Sequence, residues 1–428
     1  YLRPVFYTFG WVLIAALAFP IGIAIWGLTA ALGIVLPVRY DAGLITVVCI
    51  LGVLIFNWQK CSSPRAHEVV AFFSGLFVLL SCAGIFVYLD ATGITTDSMF
   101  VLSVGKQLVE QGGPTDTMKG VLASFAIYLS LMESAALSLN LEYFRSLLPL
   151  CLISTMILFL LFGLRALDVN EKRTCFFNTL LVVLGIAVLA STYAFLWHGF
   201  YIKATPVYTL FLFICCSTTF FAERDSDARW LHAMVPVALG TMLLRMEAGL
   251  TIMPMLVVLT AAPNIPIKSR VKSLITFSLA ILFWYSFLLI RSFGHGLFSV
   301  YELAAIGSLP AIFLATVLIL IFITKDREKL VFDQLLKLMP SLMCAVLATF
   351  VIVYTATRPE SALSSLEALY CFVSGADAGV FYFWGGVFIL LIFTPFVTQQ
   401  TDACWIFGVN ATGFILIILA ITVMVPTK

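Results

Sequence analysis

Charge is what this chain has least of. Asp, Glu, Lys and Arg together make up 11% of its 428 residues, where soluble domains carry about a quarter. That scarcity excludes an ordinary water-soluble domain, and a formal net charge of +2 is too small for a nucleic-acid partner. Only four histidines occur, and the ten cysteines show no paired spacing. Zinc-ligand and disulfide frameworks are therefore excluded, and the cysteines read as small apolar core residues. Short segments of alternating polarity are also missing, which removes a membrane β-barrel.

Long apolar runs are abundant. Hydrophobic residues reach 62% of the chain, with 38 phenylalanines. In hydrocarbon a backbone must satisfy its own hydrogen bonds, and runs near eighteen residues or longer do so as helices. The chain therefore reads as an all-α polytopic membrane protein. Candidate spans are 5–37, 43–58, 68–89, 147–165, 175–197, 204–222, 230–243, 249–262, 273–290, 303–324, 338–356, 380–397 and 404–425. That is about thirteen transmembrane helices. Pro20 and Gly22 interrupt the first, which is either one tilted helix or two short ones. No basic n-region and cleavage site are visible, so Leu2 to Val38 is expected to be a genuine span. The apolar run 120–139 carries Glu133 and is placed at the outer interface or as a dipping helix.

Basic residues set the orientation. If the loop after residue 90 lies outside, the inner loops are 59–67, 165–174, 223–229, 264–272 and 325–337. These hold most of the lysines and arginines, among them Arg165, Arg224, Arg229, Lys268, Arg270 and Lys272, as the positive-inside rule requires. Two mixed-sign turns, Glu223 to Arg229 and Lys325 to Lys329, read as solvated connectors.

The outer side then gathers Asp90, Asp97, Glu133, Glu142, Arg145, Arg245, Glu247, Arg291 and His295. Ionisable groups beside a bilayer are costly and tend to be paired or functional. Asp97 opens an amphipathic stretch with Met99, Leu102 and Val109 on roughly one face. It is either a general base or an N-cap for that helix. Arg245 and Glu247 sit between two apolar runs too short to cross comfortably, a position that draws them below the outer surface. They form either an anion-binding arginine with its orienting acid or a structural ion pair.

The stretch from Trp230 through Gly240, Leu244-Arg245-Met246-Glu247 and Gly249 to Pro254 resembles a segment of the GT-C superfamily of membrane glycosyltransferases. There a Gly- and Leu-rich helix enters an Arg-Pro-Glu-Gly-Leu turn; here Met246 replaces the proline. Asp97 to Gly112 is similar to the superfamily's first outer loop, where an aspartate precedes a short amphipathic helix ending near glycine. Tyr143-Phe144-Arg145 to Arg165 resembles its next span, and Arg291-Ser292-Phe293-Gly294-His295 an outer-loop Arg and Phe/Tyr-Gly element. The resemblance covers roughly residues 70–300 at the level of pattern.

That resemblance implies transfer of a sugar from a polyprenyl-phosphate donor to a glycan, lipid or protein acceptor on the outer or lumenal face. Asp97 would be the catalytic base and Asp90 a secondary carboxylate. Arg245, Arg291 and His295 would bind the donor phosphate, with Glu247 orienting Arg245. Glu133, Glu142 and Arg145 would shape the acceptor side. An inverting displacement needs one base and no covalent intermediate. A metal-independent site without cofactor is expected; the alternative is Mg or Mn held by Asp90, Asp97 and an outer glutamate. Three modules follow: N-terminal spans over 1–67, a GT-C-like catalytic module over 68–302 with its outer loop at 90–146, and a variable module over 303–428. The active site would face the periplasm from a bacterial inner membrane, or the lumen of the endoplasmic reticulum. Rival readings are a lipid-linked-sugar transporter, a polysaccharide polymerase or ligase, and a non-catalytic subunit of a larger complex.

Overall fold

A computed structural model describes residues 11–35, 41–57, 66–89, 96–112, 147–166, 180, 182–187, 190, 204–244 and 264–276. The elements, in order, are α1 (Trp11–Val35), α2 (Ala42–Asn57), α3 (Ala66–Leu89), α4 (Thr96–Gln111), α5 (Leu147–Ala166), α6 (Thr205–Arg224) and α7 (Trp230–Met242). Residues 182–187 and 267–276 are helical too, and no strand occurs among the described residues.

These bounds follow the apolar runs of the sequence to within a residue or two, and the first run is described from Trp11 to Val35. Within its described residues the first run is one helix: α1 continues through Pro20 for 25 residues. Proline removes one backbone hydrogen bond, a loss that packed neighbours make tolerable in a membrane helix. Asp41 caps α2, its Oδ1 accepting the Leu44 N–H at 2.9 Å. Hydroxyls inside the helices find partners in the preceding turn. Thr155 donates to the Cys151 carbonyl, Thr218 to Ile214 and Thr219 to Cys215, so these three buried hydroxyls are paired.

Val12–Leu32, Leu147–Arg165 and Thr205–Arg224 are long and apolar enough to cross a bilayer. The outer faces of α2 and α3 expose Ile55, Phe73, Phe77, Leu80 and Tyr88, with Phe77 at 72%. In water, contiguous apolar exposure of this kind is a liability; against lipid it is the expected surface. The chain is a helical membrane protein.

Helix direction can be read from the contacts. Phe159 lies 6.1 Å from Phe213 and Phe162 lies 5.5 Å from Phe221, while Arg165 reaches Asp225. α5 and α6 are therefore parallel. Phe221 stacks on Trp230 at 5.2 Å, Cys215 Sγ approaches the Met234 carbonyl, and Phe211 lies beneath Gly240. α6 and α7 are therefore an antiparallel hairpin about the turn at 225–229. By this register Leu147, Val207 and Leu244 lie level at one end of the bundle. Arg165 and the 225–229 turn lie at the other.

Gly240 is where three helices meet. A Cβ there would stand 2.7 Å from a Phe211 ring carbon and 3.3 Å from the Ala24 Cβ of α1. Phe211 and Ala24 are themselves fully buried, so the ring has little room to yield. Small residues at such crossings let membrane helices approach closely. Gly240→Val is expected to cost about 1–3 kcal/mol by overpacking. Thermal unfolding of the detergent-solubilised protein measures it, and an unchanged midpoint would mean that α1, α6 and α7 can part at no cost.

α4 is amphipathic and differs from α1–α3 in having a polar face. Its buried residues are Val101, Val104 and Leu108, at i, i+3 and i+7. Met99 is 58% exposed, and Leu102 and Val109 are half-buried. The expected Met99, Leu102, Val109 face is thus corrected: burial falls on a face turned from it by roughly 140°. On the outer face Lys106 and Glu110 form an exposed i,i+4 pair at 3.7 Å. Gly112 ends the helix: its φ of 69° is left-handed, and its N–H reaches the Leu108 carbonyl at 3.1 Å. A short amphipathic helix closing at a glycine is what the sequence leads one to expect there.

Candidate functional site

The turn between α6 and α7 is built first from its backbone. Ser226 takes a left-handed φ of 53°. The Asp227 N–H bonds the Ala222 carbonyl, and the Ser226 N–H bonds that of Glu223. This is a Schellman closure with serine where glycine is usual. It turns the chain sharply and sets Asp225 and Asp227 beside the ends of the helices.

Asp225 then meets α5. Arg165 Nη2 lies 2.7 Å from Asp225 Oδ2, and the Trp230 indole N–H donates to that same oxygen at 3.2 Å. The guanidinium of Arg165 also lies 5.2 Å from the Trp230 ring and 5.7 Å from Phe221. Arg224 donates to the Arg165 carbonyl at 3.3 Å, supplying an acceptor-rich helix end with a donor. Asp227 binds Arg229 through both carboxylate oxygens, at 2.9 to 3.0 Å from Nε and 2.7 Å from Nη2. Partial burial pushes the Asp227 carboxyl up. Hydrogen bonds from the Arg229 side chain and backbone, with the charges of Arg229 and Arg165, outweigh that and hold it below the ordinary Asp value.

Glu223 draws in a third segment. It is buried, and its carboxylate accepts the Asn264 N–H at 3.3 to 3.4 Å. Arg270 is 2% exposed, and its charge acts on Glu223. So 165, 223–229 and 264–270, separate in sequence, converge at one end. All three were assigned to the same side of the membrane by their basic residues. The reading of 223–229 as a solvated connector is corrected in part: Glu223 has almost no contact with water and Asp225 is drawn toward Arg165, while Ser226 and Arg229 stay exposed. Helical period could have found this, because the buried stripe Phe211, Cys215, Thr219 and Ala222 continues onto Glu223. Most of these groups pair with one another, while the buried Nε of Arg165 and of Arg270 makes no hydrogen bond, and the contacts fasten three segments of the bundle together.

Of the residues expected to carry chemistry, Asp97 is described through its backbone alone: it is the second residue of α4, inside the first turn rather than before it. Asp90, Glu133, Glu142, Arg145, Arg245, Glu247, Arg291 and His295 lie outside the described residues, as do the run 120–139 and the whole of 303–428. Among the described residues, no group of three or more His, Cys, Asp or Glu side chains is placed to hold a metal ion. Comparison with protein-family models, with curated proteins and with solved structures finds no match.

Proposed function

We propose that this protein transfers a sugar from a polyprenyl-phosphate donor to a hydroxyl acceptor at the Leu147 end of the bundle. One observation carries the reading. α5 begins at Leu147, two residues after Arg145, and α7 closes at Leu244, one residue before Arg245. These two described ends are level by the helix register and lie opposite the ionic turn. Arg145 and Arg245 adjoin them in sequence, which supports the reading. A span followed by a short amphipathic helix with Asp97 in its first turn agrees with it. So does the cluster of basic segments at the other end, since lysine and arginine favour the cytosolic side.

In this reaction Asp97 takes the proton of the acceptor hydroxyl as its oxygen attacks the anomeric carbon. The bond from that carbon to the donor phosphate breaks on the opposite face, inverting the centre. Arg245, oriented by Glu247, stabilises the departing phosphate through a charge-assisted fork. Arg291 and His295 add donors, Asp90 is a second carboxylate, and Glu133, Glu142 and Arg145 line the acceptor side. The expected face is the periplasm in a bacterium or the lumen of the endoplasmic reticulum in a eukaryote. The experiment is direct: purified full-length protein in liposomes receives a polyprenyl-phosphate sugar labelled in the sugar. Release of label to an acceptor or to water supports the reading; intact donor after long incubation across several acceptor classes rejects it.

A further inference from the structure

We propose that the exposed face of residues 267–276 docks the headgroup of an acidic glycerophospholipid, held by Lys268 and Lys272. The inference does not depend on the sugar-transfer reading. Lys268 and Lys272 are four residues apart, so they stand on one face of the helix, and both are exposed. Arg270, Ser273 and Leu274 form the opposite, buried face. The third cation of the segment is thus already committed inward, where its charge acts on Glu223. From Ile267 to Phe277 the sequence contains no Asp or Glu, so nothing on this helix neutralises the two lysines. Like charges at this spacing repel, and a phosphate lying between them turns repulsion into two attractions.

Apolar neighbours select a lipid over a soluble anion. Ile267 and Ile275 are 38% and 42% exposed, and helical spacing sets Ile275 on the same face as the lysines. Ile275 lies in the run 273–290 that reads as a span, so acyl chains lie beside it, where a free phosphate does not enter. A glycerophospholipid covers it with acyl chain while the lysine stems run along the apolar surface and their ammonium groups reach the headgroup. The location fits, because Asn264 joins the ionic end of the bundle, where the helices meet the membrane boundary.

The test uses full-length protein purified in neutral detergent and exchanged into nanodiscs of phosphatidylcholine with phosphatidylglycerol. Retained lipid is then counted by native mass spectrometry. Wild type is expected to keep phosphatidylglycerol in preference to phosphatidylcholine, less so as salt rises. Lys268→Gln with Lys272→Gln is expected to bind it roughly 30-fold more weakly, while the Lys268→Arg, Lys272→Arg protein keeps it. Equal retention of both lipids by wild type, or a preference indifferent to salt, overturns the proposal without any variant having to fold. Unchanged retention in the double glutamine protein overturns it too, as does displacement of the lipid by millimolar inorganic phosphate.

Discussion

Glu223→Ala is expected to lower the stability of the bundle by about 1–3 kcal/mol, the cost of leaving a group that meets its buried carboxylate unsatisfied. Glu223 and Arg270 are 6% and 2% exposed. Removing the acid takes one nearby negative charge from the buried Arg270 guanidinium, and leaves the Asn264 N–H without the carboxylate it donates to. The double variant Glu223→Leu, Arg270→Leu separates electrostatics from packing. Apolar replacement of both partners removes the uncompensated charge, so it should recover most of the loss. Denaturant unfolding in mixed micelles reads both. A single variant as stable as wild type would mean that Arg270 finds water or another acid when Glu223 is gone. Segment 264–276 would then not be fastened through Glu223.

The largest effect on activity is expected from Asp97→Asn. The substitution is nearly isosteric and keeps an oxygen acceptor in the first turn of α4, but the amide cannot take a proton. Loss of a positioned general base lowers rate by roughly 10²–10⁴. An acid that served the helix alone would behave differently: first-turn carboxylates contribute about 0.3–1 kcal/mol to stability through the helix dipole. Sugar transfer with an unchanged thermal midpoint distinguishes the two roles. A fall in rate at constant stability supports the base; a small loss of stability with full activity assigns Asp97 to the helix.

The membrane class and the bounds of the described apolar helices were legible because apolar runs of span length have few alternatives in hydrocarbon. α5, α6 and α7 fall within a few residues of runs read from composition alone. Side assignment was legible in part: three basic segments expected on one side do converge. The rotation of α4 was less legible. Its apolar residues Met99, Val101, Leu102, Val104, Leu108 and Val109 wrap more than half of the helix, so several faces were compatible with burial. Tertiary contact chose Val101, Val104 and Leu108. The buried ionic end was misread because a run of mixed charges looks solvated when each residue is judged locally. Its burial depends on Arg165 and Arg270, which lie 60 residues before Asp225 and 47 after Glu223. The proposed pairing of Asp97 with Arg245 rests on a resemblance, since no spacing rule joins residues so far apart.

That pairing is the claim on which the account turns, and proximity measures it most directly. In a background with the native cysteines replaced, Asp97→Cys and Arg245→Cys would be joined by a short bifunctional maleimide in native membranes. The Asp97→Cys, Lys268→Cys pair serves as the comparison. The account expects a cross-link between 97 and 245 and none between 97 and 268. A link from 97 to 268 with none to 245 would put the carboxylate at the ionic end of the bundle and contradict it.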